Sequence, residues 1–267
     1  MTGEGARIVS PVLTGAAHGF FNRLPATGLK DDEADFVAGL AEDEEAGASV
    51  RLIDARDHLR VQSNRMAALE CVAPGRDLAL VEQVHGTGVH RVTSPADIDP
   101  AITADALVTA DPRVVLGIYT ADCAPILLAD AHAHIVAAVH AGWRGANAGV
   151  IEAAIGAMEA QGAARSGIRA AIGPTIAAAS YEVDTRFVDQ LSEDARRHLH
   201  PSPKSGHWQF DLTGFVRSIL TREQVDGIAD CGVDTAADPR FYSHRRASLM
   251  GHARTGRQIS MIACAPF

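Results

Sequence analysis

Ile135-Val136-Ala137-Ala138-Val139-His140-Ala141-Gly142-Trp143-Arg144-Gly145 is the stretch that decides the reading of this chain. An unbroken apolar run of strand length stops at a histidine and passes through a glycine-bracketed turn. Beyond it, Ile151, Ala154, Ile155 and Met158 recur at helical spacing, with Asn147 as the expected N-cap and Gly162 as the expected stop. A strand buried on both faces followed by an amphipathic helix predicts helices packed on a sheet.

Similar runs lie on either side of it. Leu78–Val84, Ala106–Thr109, Val114–Tyr119, Ile126–Leu128, Ile168–Ile172 and Gln258–Cys264 are short, apolar or β-branched, and set off by polar, Gly or Pro residues, so each reads as a strand. Asp211–Leu220 and the apolar part of Phe187–Leu191 read as helices. Near the N-terminus Arg7–Leu13 is strand-like and Asn64–Glu70 fits a short helix. The expected fold is α/β (α+β): a mixed β-sheet core flanked by helices, in a single domain over residues 1–267, since no linker divides the hydrophobic sequence and no repeat period is present.

Of the 267 residues, 47% are hydrophobic, enough to build a large core. Lys and Arg number 24 against 33 Asp and Glu, and the resulting charge of −9 argues against a nucleic-acid partner. The acidic runs Asp31–Asp35 and Glu42–Glu45 read as solvated loops. With no apolar stretch near the roughly 18 residues of a membrane helix and no signal-like N-terminus, a cytoplasmic protein with no membrane partner is expected. Cys71, Cys123, Cys231 and Cys264 are widely spaced and form no C-x-x-C pair, which fits a reducing compartment.

Three residues stand where apolar runs give way to loops. His85 follows Leu80–Val84, Cys123 lies between two strand candidates, and His140 ends the deciding stretch. Two imidazoles and a thiolate are good zinc donors and leave the fourth tetrahedral position for water or substrate, which makes such a site catalytic. Their wide spacing matches no zinc-finger pattern. Taken singly, each also fits a packed interior. Arg144 follows Gly142 at the head of the helix and suits an anion clamp, although it could equally serve a structural ion pair beside a gap-filling Trp143. Of the adjacent pair Arg245 and Arg246, within Ser243-His244-Arg245-Arg246, only one is expected to face a site. Asp122 could orient an imidazole only if the chain bends there, because neighbours in an extended strand face opposite ways.

Val84-His85-Gly86, Ala104-Asp105-Ala106, Thr120-Ala121-Asp122-Cys123-Ala124-Pro125, His140-Ala141-Gly142-Trp143-Arg144-Gly145, Ile172-Gly173-Pro174 with Tyr181-Glu182-Val183, and Ser243-His244-Arg245-Arg246 together resemble the laccase-domain purine nucleoside phosphorylase family. That family is also called multicopper polyphenol oxidoreductase, and its bacterial members are linked to peptidoglycan precursor editing. His18-Gly19-Phe20-Phe21-Asn22-Arg23 is partly similar to its N-terminal motif. The resemblance implies an α/β fold and a zinc site at His85, Cys123 and His140. It implies phosphorolysis of adenosine, inosine or methylthioadenosine, with adenosine deamination as a companion activity, so a purine nucleoside and phosphate are the expected small-molecule partners. Arg144 and Arg245 match positions suited to phosphate or substrate contact. The sequence departs from the family at Leu24-Pro25-Ala26, at Ala179 and Ser180 where cysteines are common, and at Cys231-Gly232.

Other activities compete for the same residues. A metal-dependent amidase could edit muramyl-peptide precursors, and a metal-free version would use Cys123 as nucleophile with His140 as base. Three-copper oxygen chemistry needs many histidines, often paired as His-x-His, and only His132-Ala133-His134 has that form, so copper is the less favoured ion. A non-enzymatic, metal-stabilised binding module would need a fourth protein ligand. A monomer and a homodimer both fit the sequence.

Overall fold

In the computed structural model, which describes residues 7–23, 55–252 and 254–265, the chain begins β1 (Arg7–Ile8), β2 (Ala16–Phe21), α1 (Ala55–Val72), β3 (Asp77–Ala79), β4 (Val89–Val92), β5 (Ala106–Thr109) and β6 (Val114–Thr120). Next come β7 (Ala124–Asp130), β8 (Ile135–Ala141), α2 (Trp143–Ala148), α3 (Val150–Glu159), β9 (Ile168–Ile172), β10 (Glu182–Asp184), α4 (Thr185–Asp189) and α5 (Glu193–Arg196). The last elements are β11 (Leu199–Pro201), β12 (His207–Phe210), α6 (Leu212–Arg222), β13 (Gly227–Asp230), α7 (His244–Leu249) and β14 (Gln258–Cys264). The acidic runs Asp31–Asp35 and Glu42–Glu45 and the segment Leu24-Pro25-Ala26 lie outside the described residues.

The strands form a six-stranded sheet in the order β13-β9-β7-β8-β5-β4, a five-stranded sheet in the order β1-β2-β14-β6-β3, and a small sheet β10-β12-β11. Most pairs are antiparallel, while β3 with β6, β4 with β5 and β13 with β9 are parallel, so the mixed α/β fold expected from the sequence is the one observed.

Alternation along β8 shows how the layers stack. Ile135, Ala137 and Val139 join one apolar cluster with Ile151, Ala154, Ile155 and Met158 of α3 and with Phe215, Val216 and Ile219 of α6. Val136 and Ala138 point the other way, into a cluster with Leu107 and Leu127 of their own sheet and Leu116 and Ile118 of β6. On the far side of the five-stranded sheet, Val115, Ile259, Met261 and Ala263 pack under Ala68, Leu69 and Val72 of α1. The order is therefore helices, six-stranded sheet, five-stranded sheet, helix. Central strands buried on both faces have no polar side to present, which is why they read as continuous apolar runs.

Several local expectations are corrected. Only Arg7–Ile8 of the proposed Arg7–Leu13 strand pairs, and the chain then turns, with Leu13 N–H donating to Ser10 O. The proposed Leu78–Val84 strand stops at Ala79, leaving Glu82 as an isolated bridge to Thr103. The short helix at Asn64–Glu70 is the latter part of the longer α1. Asn147 caps no helix: Gly149, at φ 103°, separates α2 from α3, and the Asn147 side chain instead donates to Gln190 O and accepts from Ser192 N–H. A left-handed residue interrupts a helix at little cost only when it is glycine. Among the described residues, no helix is long and apolar enough to cross a membrane.

Leu127 is fully buried between the two sheets, whereas Leu249 is 79% exposed. Leu127→Ala should lower the unfolding free energy by about 2–5 kcal/mol and Leu249→Ala by no more than about 0.5 kcal/mol in denaturant titrations. Equal effects would contradict the layer assignment.

Candidate metal centre

Three chain segments meet at one end of the six-stranded sheet. β7 and β8 pair in the register Ala124 to Ala141 and Pro125 to His140, so Cys123, just before β7, lies beside the end of β8 that carries His140. His85 enters from the loop after β3 with a left-handed backbone at φ 59°. The three potential ligand atoms all lie within 4.8 Å of one another, and Cys123 Sγ is 3.7 Å from His85 Nε2. The imidazole centroids are 4.8 Å apart, with the rings inclined at 73°. His140 is buried, Cys123 partly so and His85 exposed, so the cluster is open to solvent on one side.

Asp105, which the sequence offers only within the motif Ala104-Asp105-Ala106 and without a role, organises this cluster. Its fully buried carboxylate accepts from His140 Nδ1–H at 2.8 Å and from the backbone N–H groups of His85 at 2.9 Å, Gly86 at 2.6 Å and Val84 at 3.3 Å. An acceptor on Nδ1 fixes the proton there and leaves Nε2 for an ion. Burial works to raise the Asp105 pKa, but the His140 hydrogen bond and charge, with the backbone N–H groups of Gly86 and His85, hold it below the usual carboxylate range.

Gly142 supplies the space. A Cβ there would fall 2.9 Å from His85 Cδ2 and 3.0 Å from Cys123 Sγ, so no larger residue fits under the cluster without displacing a ligand. Gly145 similarly lets α2 approach Gly86 O, which a Cβ would meet at 3.0 Å.

The chain does bend at Asp122, at φ 92°, yet its carboxylate reaches no imidazole. It accepts from Thr235 Oγ1 at 2.6 Å, Ser243 Oγ at 3.0 Å and Arg245 N–H at 2.6 Å, while its carbonyl accepts from Thr175 Oγ1 and Ile176 N–H. Asp122 thus ties the Cys123 loop to the start of α7, and the imidazole-orienting role considered for it belongs to Asp105.

Arg144 and Arg245 are not in the donor set. They occupy the two ends of an aromatic row: Arg144 lies 4.6 Å over Trp143, Trp143 is 4.5 Å from Phe187, Phe187 is 5.8 Å from Tyr181, and Arg245 lies 5.3 Å over Tyr181. Arg246 turns away to the carbonyls of Thr235, Ala236 and Phe241. Tyr181 was quoted in the sequence only as part of a motif. Its phenol is pushed well above the ordinary range, first by burial and then by the Cys123 and Asp122 charges, with Arg245 and Arg144 pulling it back. Tyr181 therefore feels the thiolate and both guanidinium groups. In the sequence, Asp105 was detectable only as a carboxylate set between two alanines at the head of an apolar strand, where an acid is out of place unless paired.

Burial opposes ionisation of both Cys123 and His140, but each outweighs that for the other: charge and hydrogen bonds from His140, then His85, lower the thiol, and Cys123 with Asp105 raises the imidazole. In metal-free protein, carboxymethylation of Cys123 followed by peptide mass spectrometry should accelerate as pH rises through about 6 and then level off. Cys231 and Cys264, pushed up to about 11 by burial, should remain unmodified at neutral pH. A Cys123 profile still climbing at pH 8–9 would contradict the ion pair.

The family model described as multi-copper polyphenol oxidoreductase laccase matches residues 44–265. A Mycobacterium tuberculosis protein named purine nucleoside phosphorylase is 37% identical over 207 residues, covering 77% of this chain and 80% of its own. A Deinococcus radiodurans protein of the same name is 36% identical over 223 residues, covering 80% and 82%. Among solved structures, Geobacillus stearothermophilus YlmD superposes with a TM-score of 0.78 at 26% identity, covering 100% of this chain and 98% of its own. A Neisseria meningitidis protein does so with a TM-score of 0.75 at 27% identity, covering 97% and 98%. The matched region takes in the whole six-stranded sheet, β3, β6 and β14 of the five-stranded one, and all three donors, and on that evidence the chain belongs to the multi-copper polyphenol oxidoreductase laccase family.

Proposed function

We propose that this protein is a zinc-dependent purine nucleoside phosphorylase acting on adenosine, inosine and methylthioadenosine, with adenosine deamination as a companion activity. The observation that carries the reading is the convergence of His85, Cys123 and His140, open on one side, with Arg144 on α2, which follows the His140 strand, and Arg245 on α7, tied to the Cys123 loop through Asp122. The names of the relatives support the substrate class. The four cysteines are free, which suits an enzyme of the cytoplasm.

The donor chemistry suits zinc: two imidazole nitrogens and a sulfur drawn towards its thiolate form, with one imidazole oriented by a buried carboxylate. Among the described residues, this is the one group of three or more His, Cys, Asp or Glu side chains placed to share an ion. His132 and His134 sit in the turn between β7 and β8, at the opposite end of those strands, and add nothing to it. A multi-copper centre needs several histidine-rich sites, so the donor set favours zinc over copper. When bound, zinc would supply Lewis acidity and a water acidified towards neutral pKa.

The side chains around the cluster have separable roles in this reading. Asp105 holds His140 in one tautomer and His85 in one backbone position. Arg144 and Arg245 bind the phosphate dianion and orient it while one of its oxygens attacks the anomeric carbon. The glycosidic C–N bond breaks, the proton given up by the attacking hydrogen phosphate passes directly or through water to the departing ring nitrogen, and ribose 1-phosphate and the neutral purine leave. The Cys123–His140 ion pair also suits a second reading, a metal-free amidase acting on muramyl-peptide precursors with Cys123 as nucleophile.

Protein purified without added metal should carry about one zinc per chain and release ribose 1-phosphate from adenosine and phosphate. Chelation and Cys123→Ala should abolish both. Turnover that survives chelation would favour the cysteine nucleophile. Absence of ribose 1-phosphate, adenine and inosine above the Cys123→Ala background would overturn the nucleoside reading. Asp105→Asn should weaken zinc binding about 10–100-fold in competition with a chromophoric chelator, and unchanged affinity would remove Asp105 from the site.

A further inference from the structure

The row Arg144, Trp143, Phe187, Tyr181, Arg245 has cations at both ends and two polar groups between them, the Trp143 indole N–H and, next to Arg245, the Tyr181 hydroxyl. That hydroxyl has no hydrogen-bond partner among the described residues. Its ring, by contrast, is held on several sides: edge-on to Phe187 at 5.8 Å and Phe210 at 5.8 Å, and beneath the Arg245 guanidinium at 5.3 Å. The backbone is pinned as well, with Tyr181 N–H donating to Ala178 O and Tyr181 O accepting from Phe210 N–H. A phenol oriented this firmly, its hydroxyl reachable by solvent and bonded to no described residue, can donate to a ligand that displaces water there.

We propose that the Tyr181 hydroxyl is a third anion contact, donating to an oxygen of the phosphate that Arg144 and Arg245 bind, an assignment that rests on the phosphorolysis reading above. A neutral donor is the appropriate third partner. Two guanidinium groups already balance the dianion, and a further cation would add repulsion between the arginines, whereas a phenol adds a short O–H···O⁻ bond without charge. The wide separation of the residues in sequence also fits a shared role. Arg144 comes from α2, Tyr181 from the turn before β10 and Arg245 from α7, whose first turn is fastened to the Cys123 loop through Asp122.

Tyr181→Phe removes one oxygen and keeps the ring, its aromatic neighbours and the guanidinium stacked on it. Calorimetric titration of the zinc-loaded protein with inorganic phosphate should show Tyr181→Phe weakening phosphate binding about ten-fold. The KM for phosphate should rise by a similar factor, the KM for adenosine should stay within about two-fold, and zinc content and Tm without phosphate should not change. A variant that binds phosphate as tightly as the parent would overturn the assignment while leaving the phosphorylase reading intact. A rise confined to the adenosine KM would place the hydroxyl on the nucleoside and overturn it too. A parent protein that binds no phosphate and yields no ribose 1-phosphate would overturn both the reading and the assignment.

Discussion

The buried Asp105 carboxylate is the constraint on which the site depends. It sits at the start of a central strand, inside a sheet covered on both faces, where an unpaired charge would be very costly. Four N–H donors offset that cost, and all four belong to the neighbourhood of the donor cluster: His140 Nδ1 and the backbone of Val84, His85 and Gly86. The group that must be satisfied for the sheet to be stable is thus the same group that places two imidazoles. Folding and site assembly are coupled through one side chain.

The layered architecture explains why the site lies where it does. β7 and β8 are held from both faces by aliphatic side chains, so their ends are rigid, and Cys123 and His140 are carried there side by side. The loops beyond those ends supply His85, Arg144, Tyr181 and Arg245. Gly142 permits the close approach of sulfur and imidazole. Asp122 fastens the loop bearing Cys123 to the first turn of α7, so that donor cluster and guanidinium group are positioned by adjoining parts of one hydrogen-bond network.

Legibility in the sequence followed burial. β5, β6, β8, β9 and β14 were readable because strands covered on both faces are written in Val, Ile, Leu and Ala. β2 was missed because His18 and Gly19 interrupt its apolar character: the histidine ring is buried and bonded to Ala16 O and Ser10 N–H. β4, an edge strand reading Val-His-Arg-Val, carries polar residues that an interior strand would exclude. The three donors could be proposed from their positions at run ends, and the family resemblance supplied the reason to group them. Asp105 and Tyr181 were not found as site residues. Their importance lies in what their polar atoms meet or lack in space, and pairing across distant segments leaves no periodic trace.

X-ray absorption at the zinc edge on protein purified without added metal should show two nitrogen scatterers at about 2.0–2.1 Å, one sulfur at about 2.3 Å and one further oxygen, with the sulfur shell absent in Cys123→Ala. A shell containing no sulfur, or a second sulfur or third imidazole closing the fourth position, would contradict an open site built from His85, Cys123 and His140.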